Sequence, residues 1–551
     1  MLQKYDGIIQ DQLSQGIVQR VHSEPQGKEF YIPHKAMIRE TAESTKIRIV
    51  YDASARGNVE APSLNECLET GPPLQNKLWG VLVRNRFKPV ALAGDLKQAF
   101  LQVRIREEDR DVTRFHWLKD LDTKHVETLR FTRALFGLST SPFLLKGVID
   151  QHLKNLQNIY PREVEEIRGS LYVNNLISSD KTVAGAQHLK QTSQSIFRAG
   201  KFELHKWHSS APSLEQPTHH EEAMEERPTT HQNENQSYPG QDTIQTSFPE
   251  PTKREVLRKI AKIYDPLGLA SPITLEGKFL YRAVCEARIP WDQELPQELE
   301  IRWQTWENSL ADKVEVARSI AQHQEEISGI DLHAFGDASS QGVSAAVYAA
   351  RYQPTRVSQG LVTAKSRLAK KGLTIPRLEL VSGHMAANLV DNVKEALQGF
   401  PVGSVHCWLN SSVALHWIKG GGDYKPFVSN RVKKIQEKKF IQWRHVGTKE
   451  NPANLGSRGG NVSNCSDLWW HGPTWLPFPD SWLADIVTTP TKESQNKAKI
   501  IRKVLGITVK TDDDLDLVMC KHDLWKAIRI CPWVARFARN CRAKRQQGPR
   551  V

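Results

Sequence analysis

Ser170-Leu171-Tyr172-Val173-Asn174-Asn175-Leu176-Ile177-Ser178 is the stretch that decides the fold. Two short apolar, β-prone runs flank a polar doublet, which reads as a β-hairpin with Asn174-Asn175 at its turn. Asn suits a tight turn as well as Asp does, but its amide carries no charge. Upstream, Ala91-Leu92-Ala93-Gly94-Asp95-Leu96-Lys97-Gln98-Ala99-Phe100 reads as a strand ending in a carboxylate, then a turn. A lone strand-terminating Asp is ordinary. Opposite a polar hairpin it gains meaning, because chemistry that bridges two divalent cations about 4 Å apart needs carboxylates from neighbouring strand ends. Asp95 supplies one carboxylate and the hairpin supplies two amides.

A second constellation lies downstream. Asp331-Leu332-His333-Ala334-Phe335-Gly336-Asp337-Ala338-Ser339 reads as a strand carrying an Asp near its end, followed by an apolar strand from Gly342 to Ala350. Ile375-Pro376-Arg377-Leu378-Glu379-Leu380 opens a helix with Pro near its start. Val405-His406-Cys407-Trp408-Leu409-Asn410-Ser411-Ser412 is a strand running into a helix cap. Trp443-Arg444-His445-Val446 and Glu450-Asn451-Pro452-Ala453-Asn454-Leu455 give a strand, a loop and a helix start, with Asn454 suited to capping it. The order is strand, hairpin, helix, strand, helix, strand, helix.

The 551 residues suffice for several cores. Lys and Arg number 75 against 62 acids, a net charge of +13, which favours a polyanionic partner, nucleic acid first. Seven scattered cysteines without a C-x-x-C pair fit reduced thiols better than a disulfide framework. Cys520, His522, Cys531 and Cys541 match no common zinc spacing. Met1 to Asp6 is no signal peptide and no apolar run would span a bilayer, so an intracellular setting in cytoplasm or nucleus is expected. Residues 211–250 are polar and aperiodic and read as a disordered linker. A basic amphipathic helix follows, from Lys253 to Ile263, stopped by Asp265-Pro266-Leu267-Gly268. The chain ends in a basic run with Arg529, Arg536, Arg539, Arg542, Lys544 and Arg545.

Residues 26–210 resemble the reverse transcriptase of Bel/Pao-type LTR retrotransposons. The resemblance rests on Tyr31-Ile32-Pro33-His34-Lys35, Lys46-Ile47-Arg48-Ile49-Val50-Tyr51-Asp52-Ala53-Ser54-Ala55, Asp95 to Phe100, Leu135-Phe136-Gly137-Leu138-Ser139-Thr140-Ser141-Pro142-Phe143 and the hairpin, in the family's order. Residues 330–460 resemble the same family's ribonuclease H. The resemblance implies an α/β multidomain chain. A leader (1–25) would precede right-hand polymerase fingers and palm (26–210). The linker (211–250), a helical thumb or connection (251–329), a ribonuclease H-like domain (330–460) and a basic C-terminal segment (461–551) would follow.

It also implies roles. Asp95 would be the first metal ligand of the polymerase. Lys46 and Arg48 would grip the triphosphate, Phe100 would be the ring that rejects a ribose 2′-OH, and Gly137 to Pro142 would line the nucleotide pocket. The family's ribonuclease H acids fall on Asp337, Glu379, Asn410 and Asn454. Mg²⁺ or Mn²⁺ is the implied cofactor; RNA, DNA and RNA–DNA hybrid are the implied partners, with dNTP in active relatives. The departure is selective. Asn174, Asn175, Asn410 and Asn454 each replace an expected acid with its near-isosteric amide, so metal binding should weaken and Asp95, Asp337 and Glu379 remain as the charged ligands. Three readings stay open: a folded but crippled polymerase–ribonuclease H region, a non-enzymatic nucleic-acid-binding protein, or an unstable pseudogene product. No Asp-Thr-Gly or Asp-Ser-Gly occurs, so proteolysis is not expected.

Overall fold

A computed structural model describes residues 2–38, 47–215 and 251–482, apart from 23, 26, 121–122, 311–315, 317, 321–323 and 461–466, and a few isolated positions beyond 482. Lys46, most of the expected linker and most of the basic C-terminal segment, with Cys465, Cys520, Cys531 and Cys541, lie outside the described residues. The chain divides into two units, Met1–Ala498 and Lys499–Val551. Every strand among the described residues belongs to the first.

Its N-terminal elements are α1 (Leu2–Ser14), β1 (Val18–Arg20), the hairpin β2 (His34–Ile38) and β3 (Ile47–Tyr51), α2 (Leu64–Cys67) and α3 (Leu78–Asn85). Then come β4 (Val90–Leu96), β5 (Arg114–Leu118), β6 (Val126–Phe131), α4 (Ser141–Leu156) and α5 (Pro161–Ser170). The hairpin β7 (Leu171–Tyr172) and β8 (Asn175–Asp180), α6 (Val183–Ala199) and β9 (Leu204–Ser209) complete this part. The expected leader is part of the fold. Tyr5 and Ile9 of α1 are buried with Tyr51, Phe115, Trp117 and Phe131, and β1 joins the three-stranded sheet β1-β6-β5.

A four-stranded antiparallel sheet, β7-β8-β4-β9, holds the centre. β4 alternates strictly: Val90, Leu92, Gly94 and Leu96 are buried, whereas Ala91, Ala93 and Asp95 are half-buried on the other face. Leu92 and Leu96 pack with Leu145, Ile149, Ile167, Phe197 and Trp207, which leaves Asp95 on the open side. The ordered chain runs past Ala211: Pro212–Leu214 form a 3₁₀ turn, and buried Leu214 packs with Val90 and Ala186. Residues 211–215, which their polarity placed in the linker, are thus packed against the fold, anchored by one Leu.

Three helices follow, α7 (Lys253–Lys262), α8 (Ser271–Glu286) and α9 (Gln297–Ser309), around Val256, Leu280, Val284, Trp303 and Trp306. Thr252 and Glu255 form a capping box at α7. The last region comprises β10 (Gly329–Ala338), β11 (Gly342–Tyr352), β12 (Val357–Leu368), α10 (Ile375–Ala396) and β13 (Val402–Leu409). It continues through α11 (Ser412–Lys419), α12 (Pro426–Gln436), β14 (Ile441–His445), α13 (Ala453–Arg458) and α14 (Asp467–His471). The sheet order is β12-β11-β10-β13-β14, antiparallel across the first three strands and parallel from β10 to β14. Parallel pairing requires helical crossovers. α10 makes one, and α11 with α12 make the other, where a single helix was expected.

A seam of guanidinium-to-carbonyl bonds ties the first region to the end of α10, to β12 and to the segment before β10. Arg84 donates to Ala396 O (3.2 Å) and Gln398 O (2.7 Å), Arg86 to Val362 O (3.3 Å), and Arg318 to Lys88 O (3.0 Å). Among the described residues no helix is long and apolar enough to cross a membrane.

Candidate functional site

Asp95 stands at the end of β4, with Asn175 of β8 and His205 of β9 as its neighbours in register. Asn174 Nδ2 donates to Asp95 Oδ1 at 2.5 Å, and His205 Nε2 donates to Asp95 Oδ2 at 3.2 Å. Leu96 N donates to Asn174 O at 2.8 Å, closing the hairpin onto the strand end. The turn is Val173-Asn174 rather than the Asn doublet: Tyr172 pairs with Asn175, and Val173 takes the left-handed conformation at φ 53°. A β-branched residue is rarely found there, so the turn composition misled the register by one residue.

Gln75 and Asn76 hold the hairpin in place. Gln75 Oε1 accepts from Val173 N (3.2 Å) while its Nε2 donates to Pro142 O (2.6 Å). Asn76 Nδ2 donates to Arg168 O (2.6 Å) and Leu171 O (2.8 Å). Gln75 thus links the hairpin to the 137–142 loop. In that loop Gly137 has φ 95°, and its carbonyl accepts from Asn65 Nδ2 at 2.8 Å. Pro142 lies in the first turn of α4. Phe100 is buried behind the exposed ring of Phe136, edge to face at 4.6 Å. Arg48 sits half-buried on β3, opposite Met37.

The second constellation gathers at the ends of β10 and β13. Asp337 is 2% exposed. Asn410 Nδ2 donates to its Oδ1 at 3.1 Å, and Ser457 Oγ donates to its Oδ2. Glu379 enters from the first turns of α10, and its carboxyl is pushed up to about 8 by burial and then by the Asp337 charge. Glu379 Oε2, Asn410 Oδ1 and Asn454 Oδ1 are buried with no hydrogen-bond partner among the described residues. Asn454 is not the cap of α13. Pro452 holds that position, Asn451 Oδ1 accepts from Ala453 N at 3.0 Å, and Asn454 lies two residues further in, its amide donating to Thr448 O. His445 Nε2 donates to Asn410 O at 3.3 Å, which brings this ring to the edge of the cluster. Among the described residues no three His, Cys, Asp or Glu side chains form a metal cage.

Residues 252–411 match the family described as Pao retrotransposon-like RNaseH-like domain. The chain resembles a Bel/Pao-type retrotransposon polyprotein. The matched segment starts at the α7 cap and ends just past Asn410, so it spans the three helices as well as most of the ribonuclease H-like sheet. Among solved structures, a foamy viral protease–reverse transcriptase (dRH) in complex with double-stranded DNA is similar at TM-score 0.52 and 14% identity, covering 81% of this chain and 69% of that one. The foamy viral protease–reverse transcriptase in complex with an RNA/DNA hybrid gives 0.51 and 15%, covering 81% and 54%. At such identity the likeness concerns the fold alone: a mixed α/β chain that resembles these structures in arrangement and carries a ribonuclease H-like domain. No curated protein matches the chain.

Proposed function

We propose that this chain is the reverse transcriptase–ribonuclease H region of a Bel/Pao-type element, one that holds nucleic acid while both phosphoryl-transfer sites are disarmed. The four-stranded sheet with Asp95 would be the palm. The β2–β3 hairpin and the β1-β6-β5 sheet would be the fingers, and α7 to α9 the thumb or connection. The foamy viral structures contain double-stranded DNA and RNA/DNA hybrid, and the +13 charge suits the same partners here.

The observation that carries the reading is shared by both sites. At each, an asparagine amide donates to the remaining Asp, Asn174 to Asp95 and Asn410 to Asp337. An amide donor neutralises none of the charge of a divalent cation. Around Asp95 the residues do not fit a cation pair, since one carboxylate faces two amides and an imidazole. Around Asp337 they fit a single cation: Asp337 and Glu379 would hold it beside the unpartnered amide oxygens of Asn410 and Asn454. Bound there, Mg²⁺ or Mn²⁺ would supply Lewis acidity at a phosphate oxygen. The chain's own groups hold the site shut. Asn410 and Ser457 occupy both oxygens of Asp337, and Glu379, pushed up to about 8, keeps its proton at neutral pH.

The test is primer extension and hybrid cleavage by the purified chain with Mg²⁺ and with Mn²⁺. No extension is expected, and cleavage is expected to be undetectable in Mg²⁺ and at most slight in Mn²⁺. Template-dependent synthesis by the chain as written would overturn the disarmed reading.

A further inference from the structure

A cleft of about 1320 Å³ runs between α3 and α5 on one side and α8, β12 and the C-terminal half of α10 on the other. It exceeds the roughly 300–1,000 Å³ of small-molecule pockets, which suits an extended ligand. Its lining includes none of the acids or amides of either site. On the α3–α5 wall, Glu166 is paired with Lys88 at 3.1 Å and accepts from Ser178 at 2.7 Å.

The other wall is different. Lys365 lines it from the edge strand β12, and Arg367, two residues on and on the same face, stands outside the lining; both are exposed. Lys278 of α8 is half-buried beside them, its ammonium pulled down by burial and by the charges of Lys365 and Arg367, against a pull upward from Asp265. None of the three cations has an ion-pair partner among the described residues. Two acids line this wall among the described residues, Asp265 and Glu395. The Asp265 carboxylate is committed to the backbone N–H groups of Leu269 (2.9 Å) and Ala270 (2.8 Å). Glu395, exposed on the last turn of α10, is not among the charges that shift Lys278. Lysines on an edge strand also serve to block strand pairing. That role accounts for Lys365, but not for a half-buried lysine on a different element crowded by two like charges. Such crowding is relieved by an anion.

We propose that Lys278, Lys365 and Arg367 form a rail for the sugar–phosphate backbone of a nucleic-acid strand lying in this cleft. The proposal rests on the nucleic-acid reading above and gives that reading a location. The strand's phosphates would meet Lys278 and Lys365 inside the cleft and Arg367 at its rim.

The experiment titrates a labelled RNA–DNA hybrid against the full chain at several salt concentrations. It compares a combined K278Q/K365Q/R367Q variant and a control with two lysines removed elsewhere, K4Q/K119Q, each shown to be folded by its thermal melt. Near 0.1 M salt the rail variant should bind about tenfold or more weakly, with a log–log salt slope shallower by roughly two to three, as three lost phosphate contacts require. The control should retain the slope more nearly. If the folded chain binds no hybrid even at low salt, the nucleic-acid reading falls and the rail with it. If the chain binds but the rail variant keeps both affinity and slope, only the rail is overturned. A second arm acetylates lysines with and without ligand. Hybrid should protect Lys278 and Lys365. Equal protection by inorganic tripolyphosphate at the same phosphate concentration would assign a small-anion site and overturn the strand.

Discussion

Asp95 and Asp337 each accept a hydrogen bond from an asparagine, yet they sit in opposite surroundings. Asp95 lies on an open sheet face, its side chain 21% exposed, with an imidazole as second partner. Asp337 is sealed between Asn410 and Ser457 and crowds Glu379, whose proton is held by burial and by that neighbouring charge. The same exchange of acid for amide therefore has different physical consequences. In the open site an amide in place of an acid removes charge that water would have screened. In the buried site it also removes a repulsion that the fold would otherwise have to absorb without metal.

The comparison can be broken most sharply by restoring acids. Asn174→Asp together with Asn175→Asp should raise primer extension by roughly a thousandfold or more, the scale of lost metal-bound electrostatic stabilisation; a rate that stays at background would mean that the surroundings of Asp95 are not polymerase-competent. Asn410→Asp with Asn454→Asp should raise Mg²⁺-dependent hybrid cleavage by about a hundredfold, a smaller gain because two carboxylates already remain. Quantifying cleaved hybrid over time checks this, and a larger gain here than at Asp95 would invert the comparison.

Stability sharpens the same contrast. In EDTA, Asn410→Asp should cost about 1–3 kcal/mol in urea unfolding, because a third carboxyl would be buried beside Asp337 and Glu379. Added Mg²⁺ should recover much of it. Asn174→Asp should cost less than about 1 kcal/mol, since its neighbour is partly solvated. Equal losses at the two positions would remove the distinction between open and buried sites.

The last contrast concerns Glu379 alone. Its folded value, about 8, lies above the ordinary carboxylate value. The native state thus holds a proton that the unfolded chain releases, so this group's contribution falls as pH rises from near 4.5 to about 8 and is flat above that. Glu379→Gln should flatten that decline, seen as a higher Tm than the parent at pH 8 and little difference at pH 4.5. A parallel decline in both proteins would mean that Glu379 ionises freely.

The placement of the candidate residues was legible because strand ends carry their acids at recognisable places. Asp95, Asp337 and Glu379 stand on the elements their local sequence implied, and Asn410 directly follows its strand. What escaped came from distant parts of the chain. His205 meets Asp95 across 110 residues and Ser457 meets Asp337 across 120, and nothing local to either marks it as a partner. Gln75 and Asn76 act through backbone atoms, which leave no pattern of paired side-chain types. The second crossover helix did have a signal: Gly420-Gly421-Gly422 breaks the helical run after Lys419, and Pro426 restarts it. The hairpin register slipped because turn composition favours Asn at φ > 0, while Val173 occupies that conformation here.

The arginine seam has a consequence for any duplex that reaches both sites. Arg84 and Arg318 grip carbonyls in place of a tether that could lengthen or bend. Asp95 and Asp337 are therefore held like the jaws of a caliper. On the proposed reading, a hybrid engaged at one jaw would meet the other after a set number of base pairs, and hybrids shorter than that span would touch only one jaw at a time.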